Sequence, residues 1–161
     1  MKFLLALMLF FTANAFAEIQ INFDRFSKKT IVTTEGTSQF LDRMEVELTP
    51  RWFAKFDGQK PALAPPVSLT FWKKSESWEY LRCNVLAMLV DGSPFPVGTS
   101  KHDGTVGSGY VLERISVSLT AANATKLSKA NLVEFKICNT EGQFSENDLA
   151  DLRKIIQTIK P

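Results

Sequence analysis

YVLERISVSL, residues 110–119, is the stretch whose reading decides the fold of this chain. Ile115, Val117 and Leu119 fall on one side of it and Ser116 and Ser118 on the other. A period of two is that of a β-strand with one buried and one wet face. Working outward, the same period recurs. Residues 18–23 (EIQINF) align Ile19, Ile21 and Phe23, residues 30–34 (TIVTT) are β-branched throughout, and residues 67–73 (VSLTFWK) align Val67, Leu69 and Phe71. Residues 51–56 extend the sheet with Trp52, Phe53 and Phe56, and residues 132–138 predict a further strand. Residues 40–48 also read as a strand, with Met44, Val46 and Leu48 facing away from Arg43, Glu45 and Glu47. Residues 78–90, nearly all apolar toward their end, predict the longest and most central strand.

Turn chemistry separates these runs. A turn is expected at residues 35–38, and residues 57–66 (DGQKPALAPP) form a clear loop. Residues 91–109 (DGSPFPVGTSKHDGTVGSG) form a second, with room for short strands near 95–97 and 105–106. Two stretches have helical spacing instead. Ala121, Ala124 and Leu127 predict a short crossover helix within residues 120–129. Leu149, Leu152, Ile155, Ile156 and Ile159 form one apolar stripe on a helix over residues 146–160. Ser145 is its N-cap, with Asp148 three residues on to complete a capping box. About eight strands that do not alternate with helices predict a mainly β fold. The expected architecture is an antiparallel sandwich or strongly bent sheet with a crossover helix and a C-terminal amphipathic helix.

The N-terminus gives an address. MKFLLALMLFFTANAFA places Lys2 before an apolar run and ends in Ala15-Phe16-Ala17, the pattern of a cleavable export signal. The run is shorter than the roughly 20 apolar residues of a membrane-spanning helix. Cleavage near Ala17 leaves one domain, residues 18–161, expected to be periplasmic or secreted and to carry no membrane span. The formal charge of +2 falls to +1 when Lys2 is removed. That balance, with the basic residues dispersed, gives no electrostatic argument for nucleic acid. Cys83 and Cys138, 55 residues apart, are expected to bond in an oxidising compartment. Strand parity sets Cys138 opposite Ile137, so the bond requires a bulge, a strand end or the less apolar face. Two buried thiols are the alternative.

The run GYVLERISVS (109–118), then LSKANLVEFKI (127–137), then FSENDLADL (144–152), resembles a group of poorly characterised bacterial exported proteins. These are β-rich and end in strand, short helix, strand and capped helix. The resemblance covers roughly residues 78–160, brings no catalytic residue, and implies a bacterial periplasmic or secreted domain.

Candidate chemistry is sparse. His102 and Asp103 lie in the glycine-rich loop, where a proton shuttle or metal ligand could sit, although an exposed turn histidine is the simpler reading. Glu113 and Arg114 interrupt the decisive strand. If Glu113 points inward it must be paired, whereas both groups at a bulge or edge stand in water. Trp52, Trp72 and Trp78, with Phe53, Phe56 and Tyr80, suit either a core or an aromatic platform; Trp72 alone has the parity of an exposed ring. No phosphate loop, dinucleotide fingerprint, metal-spaced pair or nucleophile elbow is present, and no cofactor is implied. The first expectation is therefore a non-enzymatic exported domain that binds a protein or envelope component through the two loops and Trp72. A small hydrolase or metal-dependent enzyme around His102, Asp103 and Glu113 is the second. An apolar small-ligand carrier, with a cavity lined by Leu152, Ile156 and Ile159, is the third.

Overall fold

The computed structural model describes residues 18–34 and 38–161. The expected export signal and residues 35–37 of the expected turn lie outside the described residues. Alternating strands make two antiparallel sheets packed as a sandwich. The larger has six strands: β1 (Ile19–Asp24), β2 (Lys29–Thr34), β3 (Thr49–Asp57), β4 (Val67–Ser75), β7 (Lys101–Gly107) and β8 (Tyr110–Leu119). Their order is β1-β2-β3-β4-β8-β7. The smaller sheet has four: β5 (Leu86–Val90), β6 (Ser93–Phe95), β9 (Val133–Ile137) and β10 (Thr140–Gln143), in the order β10-β9-β5-β6.

One face of the large sheet is apolar because the period of two puts Val32, Trp52, Ala54, Val67, Leu69, Phe71, Ile115 and Val117 on it, all buried. The small sheet covers part of that face, with the Phe71 and Phe135 rings 4.5 Å apart. Helix α3 (Glu146–Thr158) lies against β2 and β3, and α2 (Ala121–Leu127) packs beside it. Thr120 caps α2, and Ser145 and Asp148 form the expected capping box on α3. Leu149, Leu152 and Ile155 of α3 are buried in the same apolar cluster as the sheet residues. Ile156 and Ile159 line a surface groove of about 400 Å³ shared with Lys129, Arg153 and Lys160. The third expectation asked for an enclosed apolar cavity along that stripe; Leu152 is fully buried in the core instead.

Two strand expectations are corrected. Residues 40–48 are largely helical: α1 runs Ser38–Val46. Gln, Leu, Arg, Met and Glu favour a helix, and nine residues are too few for a period of two to outweigh them. The helical spacing pairs Arg43 with Glu47 at 2.7 Å, and Arg43 also forks onto Asp148 at 3.0 and 3.2 Å. Both carboxylates push the Arg43 guanidinium above its ordinary range, although its partial burial opposes them. The expected long strand over residues 78–90 is strand only from Leu86 onward. Residues 76–85 instead cross between the sheets as an irregular strap. The second loop, in turn, contains β6 and all of β7.

Candidate functional site

The strap exists because three separate groups hold it. Glu113 lies on the inner face of β8 and is fully buried, at 0% exposure. Its Oε2 accepts the Glu79 backbone N–H at 2.7 Å and its Oε1 accepts that of Tyr80 at 2.9 Å. His102 Nε2 lies 2.9 Å from the same Oε1, with its side chain 9% exposed. The Tyr80 hydroxyl meets Thr140 Oγ1 at 2.9 Å, and burial pushes the Tyr80 phenol up. Last, Cys83 is bonded to Cys138. Cys138 is the residue after β9, in a left-handed conformation (φ 57°) that opens the hairpin to β10. Of the three positions that parity allowed, the bridge therefore takes the strand end.

Trp78 closes this arrangement from above. Its ring meets His102 edge-on at 5.8 Å and lies against Gly104, where a Cβ would come within 2.5 Å of the indole. Gly104 pairs with Glu113 across the ladder, so the missing side chain makes room for the indole over the carboxylate. His102 and Glu113 thus meet as the second expectation asked. Asp103 does not join them. Its parity sends it to the opposite face, where it pairs with Arg114. Among the described residues, no three His, Cys, Asp or Glu side chains are grouped as metal ligands. Every oxygen of Glu113 is already engaged, so the pair acts on the strap.

The other face of the large sheet is different. Arg51 and Phe53 of β3, Ser68, Thr70 and Trp72 of β4, and Arg114 and Ser116 of β8 line an open groove of about 560 Å³. Phe40 of α1 meets the Trp72 ring edge-on at 6.2 Å. The ladder register sets Arg51 opposite Thr70, Thr70 opposite Ser116, and Ser116 opposite Lys101. These four residues stand in one file across four strands. The Thr70 and Ser116 hydroxyls bond each other at 2.9 Å on the floor. A second file sets Trp72 beside Arg114 and Arg114 beside Asp103.

Both guanidiniums are held. Arg114 lies 5.4 Å from the Trp72 ring centre. Arg51 lies 5.3 Å from that of Phe40 and 5.4 Å from that of Phe53, and donates from Nε and Nη2 to the Thr34 carbonyl at 3.1 and 2.7 Å. Burial pushes the Arg51 guanidinium below its ordinary value. Trp72 is half-buried, and its Nε1 is enclosed with no hydrogen-bond partner among the described residues. Of the groove-lining residues, sequence reasoning named Trp72 as an exposed ring, Phe53 as part of a possible aromatic platform, Asp103 as a candidate beside His102, and Arg114 as a charge interrupting the strand. Strand parity places Arg51 and Ser116 outward too, but only the register shows that they share a file. No family model, curated protein or solved structure matches this chain.

Proposed function

We propose that this protein is an exported, non-enzymatic binding domain that docks a component of the cell envelope on the open face of its six-stranded sheet. The observation that carries the reading is the groove beside Trp72. It is a concavity on a sheet face, walled by aromatic rings and by two guanidiniums held in place by those rings. Rigid aromatics and arginines are the residues that dominate binding energy at interfaces. The closed Cys83–Cys138 bond fits an extracellular or periplasmic protein, as does the finding that no described helix is long and apolar enough to cross a membrane. Behind the face, the strap's fastenings tie the two sheets together.

The test is sedimentation of the purified chain with envelope fractions from the producing organism. Trp72→Ala and the groove-filling Ser68→Trp are expected to weaken retention about tenfold, the loss of one good contact of about 1.4 kcal/mol. Leu89→Gln, on the outer face of the small sheet, is expected to leave it unchanged. Equal retention of all variants, or no retention of the wild type, overturns the reading.

A further inference from the structure

We infer that the groove recognises a carboxylate-bearing polysaccharide, laid across the strands along the file Arg51–Thr70–Ser116–Lys101. The inference rests on the binding reading above and adds the chemistry of the partner. The first support is charge. Arg51, Lys55 and Arg114 line the groove and Lys101 ends the file, whereas Asp103 is the single carboxylate among the lining residues and is already paired with Arg114. Arg51 has no carboxylate partner among the described residues. Its bonds go to the Thr34 carbonyl, and its charge is half-buried. A partly desolvated guanidinium that faces a groove and has no carboxylate among the described residues gains most from an anion that brings its own charge.

Geometry then selects among anions. Four strands span three inter-strand spacings, so Arg51 and Lys101 stand about 14 Å apart along the file. Cations dispersed in this way match a chain that carries single charges at intervals. A phosphate, with two charges on one centre, favours several donors converging on one point. Between the two cations lie hydroxyls rather than more charge, and the half-buried Ser116 hydroxyl, bonded to the buried Thr70, retains capacity to bond the hydroxyl of a sugar. The file runs over the face of the sheet and not along its edge. An extended acidic peptide docks on a sheet chiefly through main-chain bonds at an edge strand, and this face offers side chains only.

Isothermal titration calorimetry at low and moderate salt, with oligogalacturonate as the probe, tests the inference. A neutral galactose oligomer and poly-L-glutamate of matched length serve as comparisons. Oligogalacturonate is expected to bind, more weakly as salt rises. The neutral oligomer is expected to give no heat, and poly-L-glutamate to bind at least about tenfold more weakly. Arg51→Gln is expected to lower the affinity about tenfold, corresponding to one charge-assisted contact. Lys101→Gln, an exposed edge residue whose loss does not threaten folding, is expected to lower it about threefold. Lys136→Gln, on the small sheet, is expected to change nothing. No heat with oligogalacturonate, equal binding of the neutral oligomer or of poly-L-glutamate, or indifference to both Arg51→Gln and Lys101→Gln overturns the inference. If envelope retention still depends on Trp72 in that case, the chemistry assigned to the partner falls and the binding reading stands. If both assays fail, both fall.

Discussion

Glu113→Ala removes the acceptor for two backbone N–H groups and the partner of His102 in one step. The Tyr80 N–H is buried, and that of Glu79 is partly so. Each donor left unmatched costs about 1–3 kcal/mol, and each lost hydrogen bond to a charged group about 1.5–3 kcal/mol. The Cys83–Cys138 bond still keeps residue 83 at the end of β9, so the strap detaches over residues 76–82 without leaving the molecule. The two unmatched donors together set the expected loss of stability at about 3–5 kcal/mol. Glu113→Gln keeps one acceptor oxygen, and its amide can donate to the imidazole when Nε2 accepts. Its expected cost is smaller, about 1–2 kcal/mol. Urea unfolding of the oxidised protein at neutral pH measures both values. Limited proteolysis measures opening of the strap, and Trp78, over the carboxylate, reports locally by fluorescence. A Glu113→Ala protein within about 1 kcal/mol of wild type, with no new cleavage in residues 76–82, would refute the idea that this carboxylate fastens the strap.

Three further outcomes are expected. Replacing Cys83 and Cys138 together by serine opens a 55-residue loop and should cost about 4 kcal/mol by chain entropy, measured as the shift in urea midpoint. Equal stability of the two proteins would show that the strap is held without the bond. Gly104→Ala places a Cβ 2.5 Å from the Trp78 ring and 2.9 Å from the Leu112 carbonyl, so the indole must leave its seat. A loss of about 1–3 kcal/mol with altered tryptophan fluorescence is expected. Asp151 is raised from 3.8 to about 6, first by burial and then by Asp148, while Lys154 opposes the shift. Because the folded state holds this proton more tightly than the unfolded chain, stability falls as pH rises from about 4 to 6. Asp151→Asn should therefore be more stable than wild type at pH 7, by about 1–2 kcal/mol after allowing for solvent screening, with no difference below pH 4. Parallel pH–stability curves would exclude this origin.

Several features were legible in the chain. Period-two runs identified β1, β4 and β8, a β-branched run identified β2, and the capping box with its apolar stripe placed α3 within two residues of its observed C-terminal end. These signals are local, and each strand or cap states its preference within a few residues. The errors were of the opposite kind. Residues 40–48 satisfied two periods at once, and α1 is further tied to the rest of the fold by Arg43, whose partner Asp148 lies 105 residues away. Residues 78–85 carry strand-like residues, yet they bond to Glu113 and Cys138 from outside any ladder.

The site divides along the same line. Sequence alone indicated that Trp72 faces away from Leu69 and Phe71, that an inward Glu113 needs a partner, and that a Cys83–Cys138 bond needs an irregular strand position. All three follow from the alternation of side chains along one strand. Which residues meet across strands was decided by tertiary structure. Ladder register joined Arg51 to Thr70, Ser116 and Lys101, sent Asp103 to Arg114, and brought His102 to Glu113 under Trp78. Register depends on how the two hydrophobic faces close over one shared core, a property of the whole chain that no single segment encodes.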